Sequence, residues 1–346
     1  MINHSSNCEN FQLSAFPVEY RYINRLDAPI ESITIRSAMA KNLLILGATG
    51  KQGKNVINSI LDSPSHDDYT LLAVTRNTTS ASAAALAKKS PRIKLVQGNL
   101  DDCPAIFTEA LKATQNRSIW GVFSVQQAVQ DGATQEREER QGKALIDAAI
   151  ANGATHFVYS SVDRGGDKSS QNPTYVPHFI SKHNIEKHLE EKTADGKMSY
   201  TILRPVAFMD GMTADFSGKM MATWIKILKR SKPLQFIACS DIGFFAAQSF
   251  LQSESPEYHN KAISLAGDAQ NYDGLNKIFK EKIGYNIPTT YEFFARFVKW
   301  MVTELNVMFR WFDEEGYGAD IPALRKMHPG LLGLGDWLVK ESQFKK

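Results

Sequence analysis

Residues 42–53 read Asn42-Leu43-Leu44-Ile45-Leu46-Gly47-Ala48-Thr49-Gly50-Lys51-Gln52-Gly53. The run Leu43 to Leu46 has no polar alternation, as a parallel strand covered on both faces requires. Beyond the glycines, Val56, Ile57, Ile60 and Leu61 recur at helical spacing. Strand, glycine turn and helix in that order form a dinucleotide site. Gly47 permits the sharp turn, Gly50 lets the backbone approach a pyrophosphate, and Gly53 lets helix and strand pack closely. The phosphates then rest on the unpaired N–H groups of a helix N-terminus. The spacing is Gly-x-x-Gly-x-x-Gly, one residue longer in its first step than the standard fingerprint.

The same alternation continues downstream. Tyr69–Thr75, Ile93–Gly98, Ile119–Val125 and His156–Ser161 read as further strands, and Tyr200–Leu203 as a sixth. Between them, Asp101 or Asp102 can cap a helix whose first turn holds Pro104, and 136–151 is a helix with Gly153 just beyond its end. This predicts an α/β doubly wound parallel sheet, with its ligand beyond the C-terminal ends of the strands. Arg76 ends the second strand, where an acid would hold the ribose 2′-hydroxyl of NAD and an arginine suits the 2′-phosphate of NADP. No carboxylate lies between 69 and 100, so the cofactor expected is NADP(H).

The 346 residues are 43% hydrophobic and 22% charged with net charge +3, too small an excess to argue for nucleic acid. Cys8, Cys103 and Cys239 are scattered and odd in number, which suggests neither a disulfide framework nor a zinc site and fits a reducing compartment. No apolar run is long enough for a membrane span. The expectation is a soluble protein of the cytoplasm, or also the nucleus, with no membrane and no direct nucleic-acid contact. Residues 1–40 lack periodicity, carry acids that argue against a transit peptide, and read as a mobile extension, with Met39 as an alternative natural start.

Together these segments resemble the NmrA-like family, atypical members of the extended short-chain dehydrogenase/reductase superfamily. The resemblance runs from about residue 42 to the C-terminus. It rests on Gly47–Gly53, Thr75-Arg76, Gln97–Asp102, Phe157–Ser161, His178-Phe179-x-x-Lys182-x-x-Ile185-Glu186 and Leu203-Arg204-Pro205-x-x-Phe208-Met209. It implies an NADP-binding Rossmann domain over 41–207 and a smaller, mainly helical lobe over 208–346 above the cofactor cleft, with a late strand near 261–267 that can rejoin the sheet. It assigns cofactor contacts to Gly47, Ala48, Thr49, Gly50, Lys51, Gln52, Gly53, Arg76, Asn99, Leu100, Ser124, Lys182, Pro205, Val206 and Phe208, with Lys51 assisting Arg76 at the 2′-phosphate. The segments 312–321 and 336–338 look like the closing part of such proteins.

The superfamily's reductases place a proton-donating tyrosine four residues before a lysine that binds the nicotinamide ribose. Here the lysine is Lys182 and His178 holds the tyrosine's place, while Tyr175 lies across a proline-containing turn. Ser160 and Ser161 stand where a substrate-polarising serine is kept, although a serine ending a buried strand is commonly satisfied by backbone. Two functions follow. One is a redox or cofactor sensor read by a regulatory protein partner. The other is an NADPH-dependent reductase of a small carbonyl, enone or quinone, with Lys182 and His178 as its candidate catalytic groups.

Other chemistry is less well supported. His178, His183 and His188 recur every five residues, which places them on different faces of a helix and argues against a metal site. From His183 to Glu191 the chain reads as an exposed charged helix, and Asp313-Glu314-Glu315 as a solvated helix end. Tyr272 to Ile283 reads as a helix ending near Gly284. Phe294, Val298, Met301, Leu305, Met308 and Phe312 alternate steps of four and three, predicting one continuous helix that packs on the core and roofs the cleft.

Overall fold

The computed structural model describes residues 40–115, 117–126, 134–228 and 233–345. The extension expected over 1–40 lies, up to residue 39, outside the described residues.

The first strand, β1 (Lys41–Ile45), is followed by α1 (Lys51–Leu61), and the alternation continues through β2 (Tyr69–Thr75), α2 (Ala81–Ala87), β3 (Ile93–Gln97), α3 (Cys103–Ala113), β4 (Ile119–Ser124), α4 (Gln135–Ala151), β5 (His156–Ser160), α5 (Pro177–Lys192) and β6 (Ser199–Pro205). Then come β7 (Ala207–Phe208), α6 (Phe216–Ile227), β8 (Leu234–Ile237), α7 (Cys239–Leu251), β9 (Lys261–Leu265), β10 (Asp268–Gln270), α8 (Tyr272–Ile283), α9 (Glu292–Met301), α10 (Thr303–Glu314), α11 (Ile321–Met327) and α12 (Leu334–Lys340).

Seven strands form one parallel sheet in the order β3-β2-β1-β4-β5-β6-β9. Successive side chains of a strand point to opposite faces, so Leu43 and Ile45 join the layer holding α1 and α7, while Leu44 and Leu46 join the layer holding α3, α4 and α5. Both faces are covered, which is why the strand reads as an unbroken apolar run. The order reverses between β1 and β4, and the Gly47–Gly53 turn opens at that switch point.

Local signals place the helices. Asp102 caps α3, its side chain accepting from Ala105 N, and Pro104 occupies the first turn. Helix α8 ends at Gly284 in left-handed conformation, φ +98°. Helices α4 and α5 approach so closely that a Cβ at Gly142 would lie 2.4 Å from Ile185 Cδ1.

The late strand does rejoin the sheet, as β9 beside β6. Helix α7 also returns to the Rossmann layer, where a Cβ at Gly243 would strike the α1 backbone at Asn55. A separate three-stranded sheet, β10-β8-β7, and the remaining helices enclose a third core around Phe236, Phe279, Trp311 and Trp337.

The expected helix over 294–312 is instead two helices, broken at Val302 (φ −98°, ψ 96°). Val302 and Thr303 are adjacent β-branched residues, poor helix formers, at the point where the apolar stripe changes sides. In α10, Phe309 and Phe312 are buried; in α9, Phe294 and Met301 are exposed. Helix α5 also differs from expectation. Ile185, Glu186 and Leu189 are fully buried, so the segment 183–191 carries an inward face.

Candidate functional site

A cleft of about 700 Å³ opens over the C-terminal ends of β1, β2 and β4. Its floor is the turn from Gly47 to Gly53. Gly47 sits at φ +62°, where a side chain is strained, and a Cβ at Gly53 would lie 2.4 Å from Gly47 O. Helix α1 begins at Gly50 with no side-chain cap and no acid in its first turn. The first-turn N–H groups therefore face the cleft at the positive end of the helix dipole, a setting built for an anion. A pyrophosphate fits this bare backbone; a capped or side-chain-filled turn would reject it.

The structure brings Gly47, Thr49, Gly50, Lys51, Gln52, Gly53, Arg76, Asn99, Leu100 and Phe208 together on the cleft wall. It places the other expected contacts elsewhere among the described residues. Ala48 is buried with its N–H donating to Val74 O, and Ser124 is buried, accepting from Gln126 Nε2 at 2.9 Å. Pro205 ends β6 and Val206 follows it, Pro205 O accepting from Asp163 N and Val206 N donating to Leu265 O. Lys51 lines the cleft, but its ammonium donates to Asp210 O at 2.7 Å, on the C-terminal side.

The proton-transfer candidates are both engaged. Lys182 is nearly buried, its Nζ 2.8 Å from Glu138 Oε1, an ion pair without hydrogen-bond alignment. Glu138 itself lines the cleft, and its other oxygen accepts from Ser181 Oγ. His178 turns away to Glu304 on α10, Nδ1 to Oε1 2.6 Å, and its ring stacks edge-on against Phe179. Tyr175 donates to Glu314 at 2.5 Å, and Glu315 accepts from Asn172, so the acids at the end of α10 tie it to the loop before α5. They are not merely a solvated helix end. Tyr159 offers a second phenol, but it is fully buried, and that burial pushes its pKa well above the ordinary tyrosine value.

Neither serine at the end of β5 is satisfied by backbone. Ser160 Oγ donates to Gln52 Oε1 at 2.6 Å, joining the sheet to α1, and Ser161 Oγ donates to Glu186. Glu186 also takes Arg164 Nη2 at 2.7 Å and Arg204 Nη2 at 2.7 Å. This buried cluster pins α5, and with it Lys182, to β6 and to the loop after β5. The three histidines of α5 meet different neighbours: His178 meets Glu304, His183 lies near Arg164, and His188 meets Asp147.

No helix among the described residues is long and apolar enough to cross a membrane. Gln126, Arg137, Glu138 and Gln141 also line the cleft, and none of them belongs to the motifs expected to meet the cofactor. Glu138 was findable. It stands in register with Gly142, Leu145 and Ala149, the inward face of α4, where an acid has no packing reason to be. Asp101 does not cap α3; its carboxylate takes Arg137 at 2.6 Å and Gln141 at 2.8 Å, and these bonds hold its pKa well below the usual carboxylate range.

Residues 39–332 match the model of the NmrA-like family. Among curated proteins, the chain is 22% identical over 258 residues to an NmrA-like family domain-containing oxidoreductase of Penicillium ochrochloron, spanning 70% of this chain and 73% of that one. Among solved structures, it resembles Citrobacter sp. triphenylmethane reductase complexed with NADP(H), with TM-score 0.63, 17% identity, and coverage of 88% of this chain and 100% of that one. It also resembles NmrA, a negative transcriptional regulator, in complex with NADP, with TM-score 0.60, 15% identity, and coverage of 88% and 95%. At these identities the structural likeness concerns the fold.

Proposed function

The chain belongs to the NmrA-like family, and from that premise we propose that it binds NADP(H) and acts as a cofactor sensor read by a protein partner. The bare turn at Gly47, Gly50 and Gly53 receives the pyrophosphate. Arg76, on the cleft wall at the end of β2 with no acid nearby in sequence, favours the 2′-phosphate of NADP over NAD. Lys182 would hold the nicotinamide ribose after leaving Glu138. The cytoplasm or nucleus is where a regulatory partner would be met.

The observation that carries the sensor reading is the engagement of both proton-transfer candidates. Lys182 is paired with Glu138, and His178 with Glu304. NADPH, when bound, supplies a hydride; a reductase must also supply a proton from a group aimed at the acceptor. Neither residue is so aimed. A second reading, a reductase, is favoured by Glu138: a buried carboxylate on the cleft wall with an ammonium behind it is an acid–base pair in place.

Calorimetry with NADPH and NADH tests the cofactor. NADPH oxidation against quinones, enones and aldehydes, with Lys182→Ala as control, tests the chemistry. Tight NADPH binding without turnover supports the sensor. Turnover abolished in Lys182→Ala makes the protein a lysine-dependent reductase. Absence of NADPH binding overturns both.

A further inference from the structure

Helix α9 is amphipathic in the wrong sense for a protein surface. A surface helix ordinarily turns its apolar stripe inward. In α9 the inward residue is Ala295, fully buried, whose carbonyl accepts from Trp224 Nε1 at 3.0 Å. The opposite arc is Phe293, Phe297, Trp300 and Met301, which share one helical face and are 73%, 51%, 73% and 62% exposed. Tyr291, just before the helix, and Phe216, at the start of α6, continue the same surface. The rings touch one another rather than the core: Tyr291 and Phe293 at 5.7 Å, Phe297 and Trp300 at 6.1 Å, Phe216 and Phe294 at 6.0 Å. At ~200 Å² per aromatic side chain, roughly 700 Å² of apolar surface faces outward, above the largest patch of an ordinary monomer.

Cations edge this face. Arg296 is largely exposed, 4.0 Å from Glu292, and Lys219 is exposed, whereas the Lys299 ammonium turns back over the Phe309 ring at 5.4 Å. The acid of α9 itself, Glu292, is bonded to Lys226 at 2.9 Å. Aromatic residues with lysine and arginine at their edge are the composition of helices that lie in a membrane interface, the rings at the headgroup boundary and the cations at the phosphates. The shape agrees. Rings that stand 51–73% exposed on one helical face can enter a lipid interface without a preformed pocket. Ten residues cannot span a bilayer, so the absence of a spanning helix among the described residues does not bear on a helix that lies flat.

We propose that the outer face of α9, with Tyr291 and Phe216, docks this protein on an anionic lipid surface. The inference does not depend on the cofactor reading, because none of these residues lines the cleft.

The test is co-sedimentation of the full chain with vesicles of phosphatidylcholine alone and with about 30% phosphatidylserine. The protein partitions onto the acidic vesicles, and its tryptophan emission shifts to the blue. Trp300→Phe removes most of that shift. Phe297→Asp with Trp300→Asp lowers partitioning at least about tenfold, and Arg296→Glu lowers it about tenfold on acidic vesicles only. All variants keep the circular dichroism and urea midpoint of the parent, which shows that they are folded. Failure to bind acidic vesicles overturns the proposal, as does binding that survives the double substitution. A dimer in sedimentation velocity that the double substitution dissolves, without vesicle binding, assigns the face to a second copy of the chain instead.

Discussion

Glu186→Gln isolates the buried cluster that positions α5. The substitution keeps the shape of the side chain and removes its charge. In the parent, Glu186 is fully buried; Arg204 Nε lies 3.2 Å from each of its oxygens, both arginines reach Oε2 at 2.7 Å, and Ser161 donates to Oε1. Arg164 and Arg204 are 0% and 3% exposed, so the variant leaves two guanidinium groups in the interior without a counter-ion. Breaking such a buried pair from one side costs about 3–5 kcal/mol, a large part of the 5–15 kcal/mol that holds a typical domain together. In urea unfolding followed by circular dichroism, the midpoint falls by about 1 M or more, for a slope near 3 kcal/mol/M.

The pH dependence supplies a second check. Burial raises the Glu186 pKa, but Arg164 and Arg204 outweigh it and hold the carboxyl below its ordinary range. A depressed carboxylate contributes stability that is complete above its unfolded-state pKa and is lost as pH falls through the folded-state value. The gap between parent and Glu186→Gln must therefore close as pH falls through and below the carboxylate range. A loss under about 1 kcal/mol at neutral pH, or a gap that does not change on acidification, would show that the two arginines do not depend on this carboxylate.

Other outcomes follow from the same geometry. Gly53→Ala drives a Cβ against Gly47 O and Leu46 O; it should cost about 1–3 kcal/mol in thermal unfolding and weaken NADPH in calorimetry, whereas unchanged affinity would mean the turn does not carry the phosphates. Arg76→Asp should weaken NADPH by about 10–100-fold and leave NADH nearly unchanged; equal loss of both would place the 2′-phosphate elsewhere. His178→Tyr should bind NADPH and still show no NADPH oxidation, because position 178 faces Glu304; turnover gained would put that position at the reacting centre. Burial pushes the Cys103 thiol up to about 12 and Cys239 higher still, so both should resist alkylation at pH 8 until urea unfolds the chain, and labelling of either in the native protein would contradict their burial.

The architecture was legible because it is written in local rules. The apolar run at Leu43–Leu46, the glycines after it and the cap and first-turn proline of α3 act within a few residues, and the structure follows them. The return of residues 261–265 to the sheet was visible as a strand signal. What escaped depends on which face of a helix meets which neighbour. An apolar stripe reads the same whether it points inward or outward, so α9 and α10 were fused into one roof. Glu186 was invisible for the opposite reason: in a helix rich in charge, an inward acid looks like any other until its arginines arrive from distant segments. The partners of Lys182 and His178 lie on α4 and α10, and no spacing rule within α5 could announce them.

The position of β9 has a consequence for how the chain is assembled. Strand β6 is complete at Pro205, but the strand that covers its outer edge, β9, begins only at Lys261. During synthesis and refolding, the chain between them passes through α6, β8 and α7 before that edge is paired. Until then β6 presents Ile202 and Leu203 beside unpaired backbone groups, the kind of edge that recruits strands from other molecules. Closing it late, through a contact distant in sequence, sets a slow step. The outer edge of β6 is thus covered only by chain made long after it, and a product ending before Lys261 keeps that edge bare.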